Sequence, residues 1–194
     1  RPGGTETKGP CSVMLHNGEQ RFSRVDLSIP GRGEAHFVLA RRYRSRVDYD
    51  GPLGHNWDFT YDERVALEPT GDLLWQDGGA RVERWRALGL GRFQAPRGFF
   101  SELRQLEDGS FVLREPGGEK RRFGRDGLLV SVEDRHGNRL ALERDEQGRL
   151  ARVLDAYGRA IDFTFTGGRL TKVRDFLGRE VLYTYDEQGD LVEV

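Results

Sequence analysis

Between residues 119 and 194, apolar and polar positions alternate in short runs, and the runs recur about every twenty-one residues. Ile161, Phe163 and Phe165 share one face of such a run, while Asp162 and Thr164 take the other. The next copy sets Val181, Tyr183 and Tyr185 against Leu182 and Thr184. A side-chain period of two marks a strand with one buried face. In the preceding copy Leu140 and Leu142 hold the same places, but Arg144 stands where the last aromatic belongs; Phe123 fills that place in the first copy. The glycines at 127, 148, 168 and 189 are spaced 21, 20 and 21, as are the valines at 132, 153, 173 and 194. Periods of this length signal stacked supersecondary units. The pattern predicts an all-β chain of tandem antiparallel β-hairpins, stacked into one continuous curved sheet.

Two turns punctuate each unit. One reads Asp145-Glu146-Gln147-Gly148 and Asp186-Glu187-Gln188-Gly189; the other reads Asp155-Ala156-Tyr157-Gly158 and Asp175-Phe176-Leu177-Gly178. Asp134 and Gly137 open and close the first copy's version, and Gly168 begins a Gly-Arg-Leu run. Asp at the first position accepts hydrogen bonds from amides two residues on, and Gly at the fourth takes the left-handed conformation that closes the turn. Leu150 and Val153 are three apart, as are Leu170 and Val173, so a flat strand would point them to opposite faces. Either a bulge re-aims one of each pair or the sheet is covered on both sides. The intervening Ala151-Arg152 and Thr171-Lys172 favour the bulge. Expected repeat-core positions are then Phe123, Leu150, Val153, Phe163, Phe165, Leu170, Val173, Tyr183 and Tyr185.

Upstream the chain divides into a poorly ordered lead-in, 1–11, and a β region, 12–118, on which the repeats of 119–194 stack. Val25, Leu27 and Ile29 alternate up to a Pro30–Gly33 break, and residues 36–46 form a long strand candidate. Trp57, Phe59 and Tyr61 alternate with Asp58 and Thr60; with Tyr43 they make the expected core of this region. Residues 88–100 are the least regular and read as a loop or an edge strand. No window has a 3.6-residue period with caps, and turns every 8 to 12 residues indicate all-β structure.

Hydrophobic content of 36% against 32% charged would hint at disorder, but 11 Phe, 6 Tyr and 3 Trp argue for a packed sheet with one charged face. Net charge is −1, with both signs mixed, so no phosphate-neutralising surface stands out. The arginines of 41–46 read as strand residues facing solvent or pairing with carboxylates, and no nucleic-acid partner is expected. No apolar stretch is long enough to insert in a membrane. Cys11 is alone, which excludes an internal disulfide and a two-cysteine metal site. His16, His36, His55 and His136 lack metal-ligand spacing. Asp134, Asp155 and Asp175 recur with the period, so they serve the unit rather than a single reaction. No catalytic, cofactor or metal site is predicted. Trp57, Trp75 and Trp85 offer a second reading, a glycan-stacking platform on an adhesion module, although the alternation around Trp57 favours packing.

The repeat resembles the YD repeat of the Rhs family: Tyr185-Asp186 is followed by Gly189 and Leu191, and Gly168, Val173, Asp175 and Gly178-Arg179 match its second half. Residues 26–31, Tyr43-Arg44-Ser45 and Gly51-Pro52-Leu53-Gly54 leading to Trp57 resemble the region that precedes these repeats in bacterial polymorphic toxins. Departures are Gly54-His55-Asn56-Trp57 in place of Gly-x-Gly-Trp, and Arg144 in place of Tyr. The resemblance implies a non-enzymatic wall segment of a β-shell enclosing a C-terminal toxin. It also implies partners in the rest of a longer parent chain, that toxin and a secretion-system component, and a secreted or cell-surface location without a signal peptide in this piece.

Overall fold

The computed structural model describes residues 12–15 and 17–194. Cys11, His16 and the 1–11 lead-in lie outside the described residues.

The first sheet has four strands in the order β1-β2-β3-β6. They are β1 (Ser12–Met14), β2 (Glu19–Ile29), β3 (Phe37–Arg44) and β6 (Trp57–Phe59), with a small hairpin, β4 (Asp50–Gly51) and β5 (Gly54–His55), between the last two. Val25 pairs with Ala40 and Leu27 with Leu39, so Asp26 is the extra residue of a bulge.

The second sheet carries thirteen strands, each hydrogen-bonded to its sequence neighbours. It begins with β7 (Glu63–Leu67), β8 (Leu73–Asp77), β9 (Val82–Gly89) and β10 (Arg92–Gln94). It continues through β11 (Glu102–Gln105), β12 (Phe111–Arg114), β13 (Lys120–Phe123) and β14 (Leu129–Glu133). It ends with β15 (Arg139–Arg144), β16 (Leu150–Leu154), β17 (Ala160–Thr166), β18 (Arg169–Arg174) and β19 (Glu180–Leu182). A final hairpin joins β20 (Thr184–Tyr185) to β21 (Leu191–Glu193). The chain is therefore all-β, a continuous stack of antiparallel hairpins, as its alternation predicts. Residues 88–100 match the expected loop over 95–100 and differ from it before that. They contain the end of β9 and all of β10, and β10 is an interior strand paired on both sides. Its glycine-framed turn, not an irregular loop, breaks the alternation there.

One residue per unit has no partner opposite. Arg144 pairs with Leu150 and Glu143 with Arg152, which leaves Ala151 over. The same slip leaves Thr171 between the partners of Phe165 and Thr164, Val130 between those of Phe123 and Arg122, and Val192 between those of Tyr185 and Thr184. The bulge re-aims the strand so that Leu150 and Val153, and likewise Leu170 and Val173, are all buried. Bulges also bend and twist the strand that carries them. The sheet accordingly curls back on itself: Val65 of the first strand donates to the Gly127 carbonyl (2.8 Å), and Arg64 bridges to Leu128.

The apolar face lies inside this curl, and the four-stranded sheet supplies residues to the same core. Phe37 and Phe59 are buried against Phe163, with ring centroids 6.5 and 6.3 Å away, and Tyr61 stacks on Phe37 at 5.1 Å. Burying each such ring contributes about 1.5–3 kcal/mol, so the shared core, not any single hairpin, holds the stack together.

Candidate functional site

The recurring unit is the site. In turns of both kinds one aspartate organises the loop. Asp155 Oδ1 accepts from the amides of Tyr157 and Arg159 (both 2.9 Å), and Oδ2 accepts from Arg159 Nε at 2.7 Å. Asp175 does the same with Leu177 and Arg179, and Asp145 with Gln147 and Arg149. In the first copy Asn138 replaces the arginine and donates to Asp134 through Nδ2 (2.8 Å). This geometry explains the Asp-x-x-Gly-Arg spacing. The Asp needs donors two and four residues on, and the intervening Gly158 and Gly178 sit at φ of 75° and 80°. Gly137, Gly148, Gly168 and Gly189 lie in the same left-handed region. Burial disfavours the charge on Asp155 and Asp175, but the arginine and amide donors outweigh it and hold both below the ordinary carboxylate value.

Phe123, Leu150, Val153, Phe163, Leu170, Val173 and Tyr183 are buried, whereas Phe165 and Tyr185 are half-buried against that core. Tyr185 uses its position. Its hydroxyl donates to the Leu170 carbonyl (2.6 Å), fifteen residues back at the bulge. Arg144 makes the equivalent bond with Nη2 to the Leu129 carbonyl (3.1 Å), also fifteen back, and a second to Gly148 O (3.0 Å). The arginine thus replaces the repeat tyrosine as a donor to the same carbonyl.

The N-terminal region is tied to successive units. Glu34 N donates to Asp134 (3.0 Å), Arg159 Nη2 to Pro30 O (2.7 Å) and Tyr183 to Asp26 (3.1 Å). Gly51 O and Pro52 O accept from Arg169 (2.6 Å) and from the Leu170 amide (2.8 Å). Asp26 is also paired with Arg41 (3.1 Å); burial raises its pKa despite that cation. Of the 41–46 arginines, Arg44 pairs with Glu19 (2.8 Å) and Arg42 donates to Gly78 O (3.0 Å).

Trp75 and Trp85 are not a surface platform. Their side chains are 6% and 0% exposed, packed on one another and on Phe99. Trp57 and Tyr43 are half-buried, 5.2 Å apart, with Arg41 over the indole. The expected polar face at Asp58 is also different: Asp58 is fully buried, because the Gly78–Ala80 turn covers it. Glu63 in β7 is buried opposite Arg121 (3.3 Å), and burial pushes its pKa up against that cation. No spacing in the sequence marks Asp58, Glu63 or Asp26, since each becomes buried only through contacts between distant strands. Among the described residues, no group of three His, Cys, Asp or Glu side chains is placed to hold a metal ion.

These features define a class, the β-hairpin repeat proteins whose bulged sheet curls around its own apolar face. The chain belongs to the Rhs/YD-repeat family. Residues 115–160 match the RHS repeat, and residues 10–85 match a domain of unknown function, DUF6531. Over 185 residues, 89% of the chain, it is 30% identical to double-stranded DNA deaminase toxin A of Burkholderia cenocepacia. It is 26% identical over 194 residues to the probable deoxyribonuclease RhsB of Dickeya dadantii, and 29% identical over 126 residues to the tRNA nuclease WapA of Bacillus subtilis. It spans 13% of the length of each of the first two and 5% of the third.

Proposed function

We propose that this chain is a non-enzymatic wall and end-plug of a larger Rhs protein, and that the completed wall encloses a toxin domain carried elsewhere in the parent. The observation that carries this reading is a thirteen-stranded sheet, bulged once per repeat, whose inner apolar face receives Phe37 and Phe59 from a separate sheet. Such a construction would cover one end of a curl and admit further units along the sheet. The relatives support it from another side. They are described as a double-stranded DNA deaminase toxin, a tRNA nuclease and a probable deoxyribonuclease, and this chain corresponds to only a small share of each. The partners would be further repeats, the toxin and a component of a secretion system, and the protein would work outside the cell or at its surface.

The test is made in the parent protein. Limited proteolysis should leave the toxin domain intact in the unaltered protein and release it when the wall is opened by Gly127→Ala. The isolated 194-residue chain should neither cleave nor deaminate DNA or tRNA. Toxin equally accessible in both parents, or activity in the isolated chain, overturns the reading.

A further inference from the structure

A single buried carboxyl group fastens the turn between β8 and β9 to the four-stranded sheet. Asp58 Oδ1 accepts from the Phe59 amide (2.8 Å). Its Oδ2 accepts from the Ala80 amide (2.7 Å) and from Gln76 Nε2 (3.2 Å). Ala80 has a φ of 53°, a conformation that disfavours any residue with a Cβ, so the turn needs an external hold. The fit is close, since a Cβ on Gly78 would lie 2.7 Å from the Phe59 carbonyl.

We propose that Asp58 is a proton-controlled clasp between the two sheets, closing the β8–β9 turn when protonated and loosening it when ionised. Its surroundings supply the reason. Asp62, three residues beyond β6, sets a like charge near it and accepts from the Tyr49 hydroxyl. From β8, Asp77 accepts from Gly79 N, and from β7 Arg64 is occupied by Gln76 Oε1 (2.8 Å). From β3, Arg42 and Arg44 reach the carbonyls of Gly78 and Ala80, not the carboxylate. Arg144 of β15 feels the charge of Asp62, and it donates to the carbonyls of Leu129 and Gly148. Among the described residues no cation bonds Asp58. Its Oδ1, with one donor, keeps a lone pair free for a proton.

Burial first, and Asp62 second, push Asp58 from the ordinary 3.8 to about 7. Opening the turn returns the group to water and to its ordinary value, so the closed form binds the proton more tightly. The ratio of closed to open therefore falls as pH rises between those two values and levels off above the higher one. Between pH 6 and pH 8 the fall is about tenfold.

The experiment uses the full chain. Protection of the Ala80 amide against hydrogen exchange is measured at both pH values and corrected for the intrinsic exchange rate. The carboxyl carbon of Asp58 is titrated by NMR in the same sample. We expect a roughly tenfold loss of protection in the unaltered chain, with no pH dependence in Asp58→Asn. The carboxyl should titrate near neutrality, with a lower midpoint in Asp62→Asn. A midpoint near the ordinary aspartate value, or equal pH dependence of protection in Asp58→Asn, overturns the proposal. The titration requires no variant at Asp58, so it decides the matter even if Asp58→Asn does not fold.

Discussion

Two glycines, one from each kind of repeat turn, separate the closure of the curl from the geometry of a single hairpin. Gly158 and Gly127 have similar φ, 75° and 80°. A Cβ on Gly158 meets nothing within 4 Å, whereas one on Gly127 would lie 1.9 Å from the Val65 carbonyl oxygen. Alanine at either site costs about 1–2 kcal/mol for the left-handed backbone. At Gly127 the clash also pushes β7 away. That breaks the Val65 N to Gly127 O bond, worth about 1 kcal/mol, and re-exposes part of the buried Val65 side chain. The sum for Gly127→Ala is about 3–4 kcal/mol, some 2 kcal/mol beyond Gly158→Ala. Equilibrium urea unfolding of the two variants, followed by tryptophan fluorescence, measures the difference. If the two variants lose equal stability, β7 does not lie over the first repeat's turn and the sheet does not curl as described.

Arg144→Tyr should be tolerated better than Arg144→Ala, because tyrosine restores the donor to the Leu129 carbonyl as Tyr185 does at Leu170; a thermal-melting series ranks them. Phe163→Ala removes the ring shared by both sheets and should cost about 3–5 kcal/mol in urea unfolding. Trp85→Ala should destabilise by a similar amount, about 3–5 kcal/mol, and leave glycan-array binding unchanged. The turn aspartates set an acid limit. Their folded pKa lies below the ordinary 3.8, so their stabilisation is complete above that value and is lost as pH falls through the folded value. Acid unfolding should therefore move to higher pH in the double variant Asp155→Asn, Asp175→Asn, read by circular dichroism.

The alternation of Ile161, Phe163 and Phe165 and the Asp-x-x-Gly spacing carried the hairpins and their turns, because both are local. The three-residue offset of Leu150 and Val153 announced a bulge, since two buried residues at odd spacing need an extra residue between them. Contacts across the curl left no such trace. Asp58 alternates with Trp57 and Phe59 and reads as solvent-facing, yet a turn twenty residues on covers it. Trp75 and Trp85 sit near turns in sequence, where packing is favoured only weakly over a surface platform, and it is contact with each other and with Phe99 that buries them. Arg144 breaks the local aromatic pattern while keeping the one bond that matters there, which only the position of the Leu129 carbonyl reveals.

The unpaired residues at 130, 151, 171 and 192 give the stack a modular metric. Because the bend is encoded once in every unit, whole units could be gained or lost with the radius preserved and only the enclosed length altered. Deleting a lone bulge residue would instead flatten one rung and turn every side chain beyond it inside out. Duplication would thus lengthen the curl without redesign of the curve.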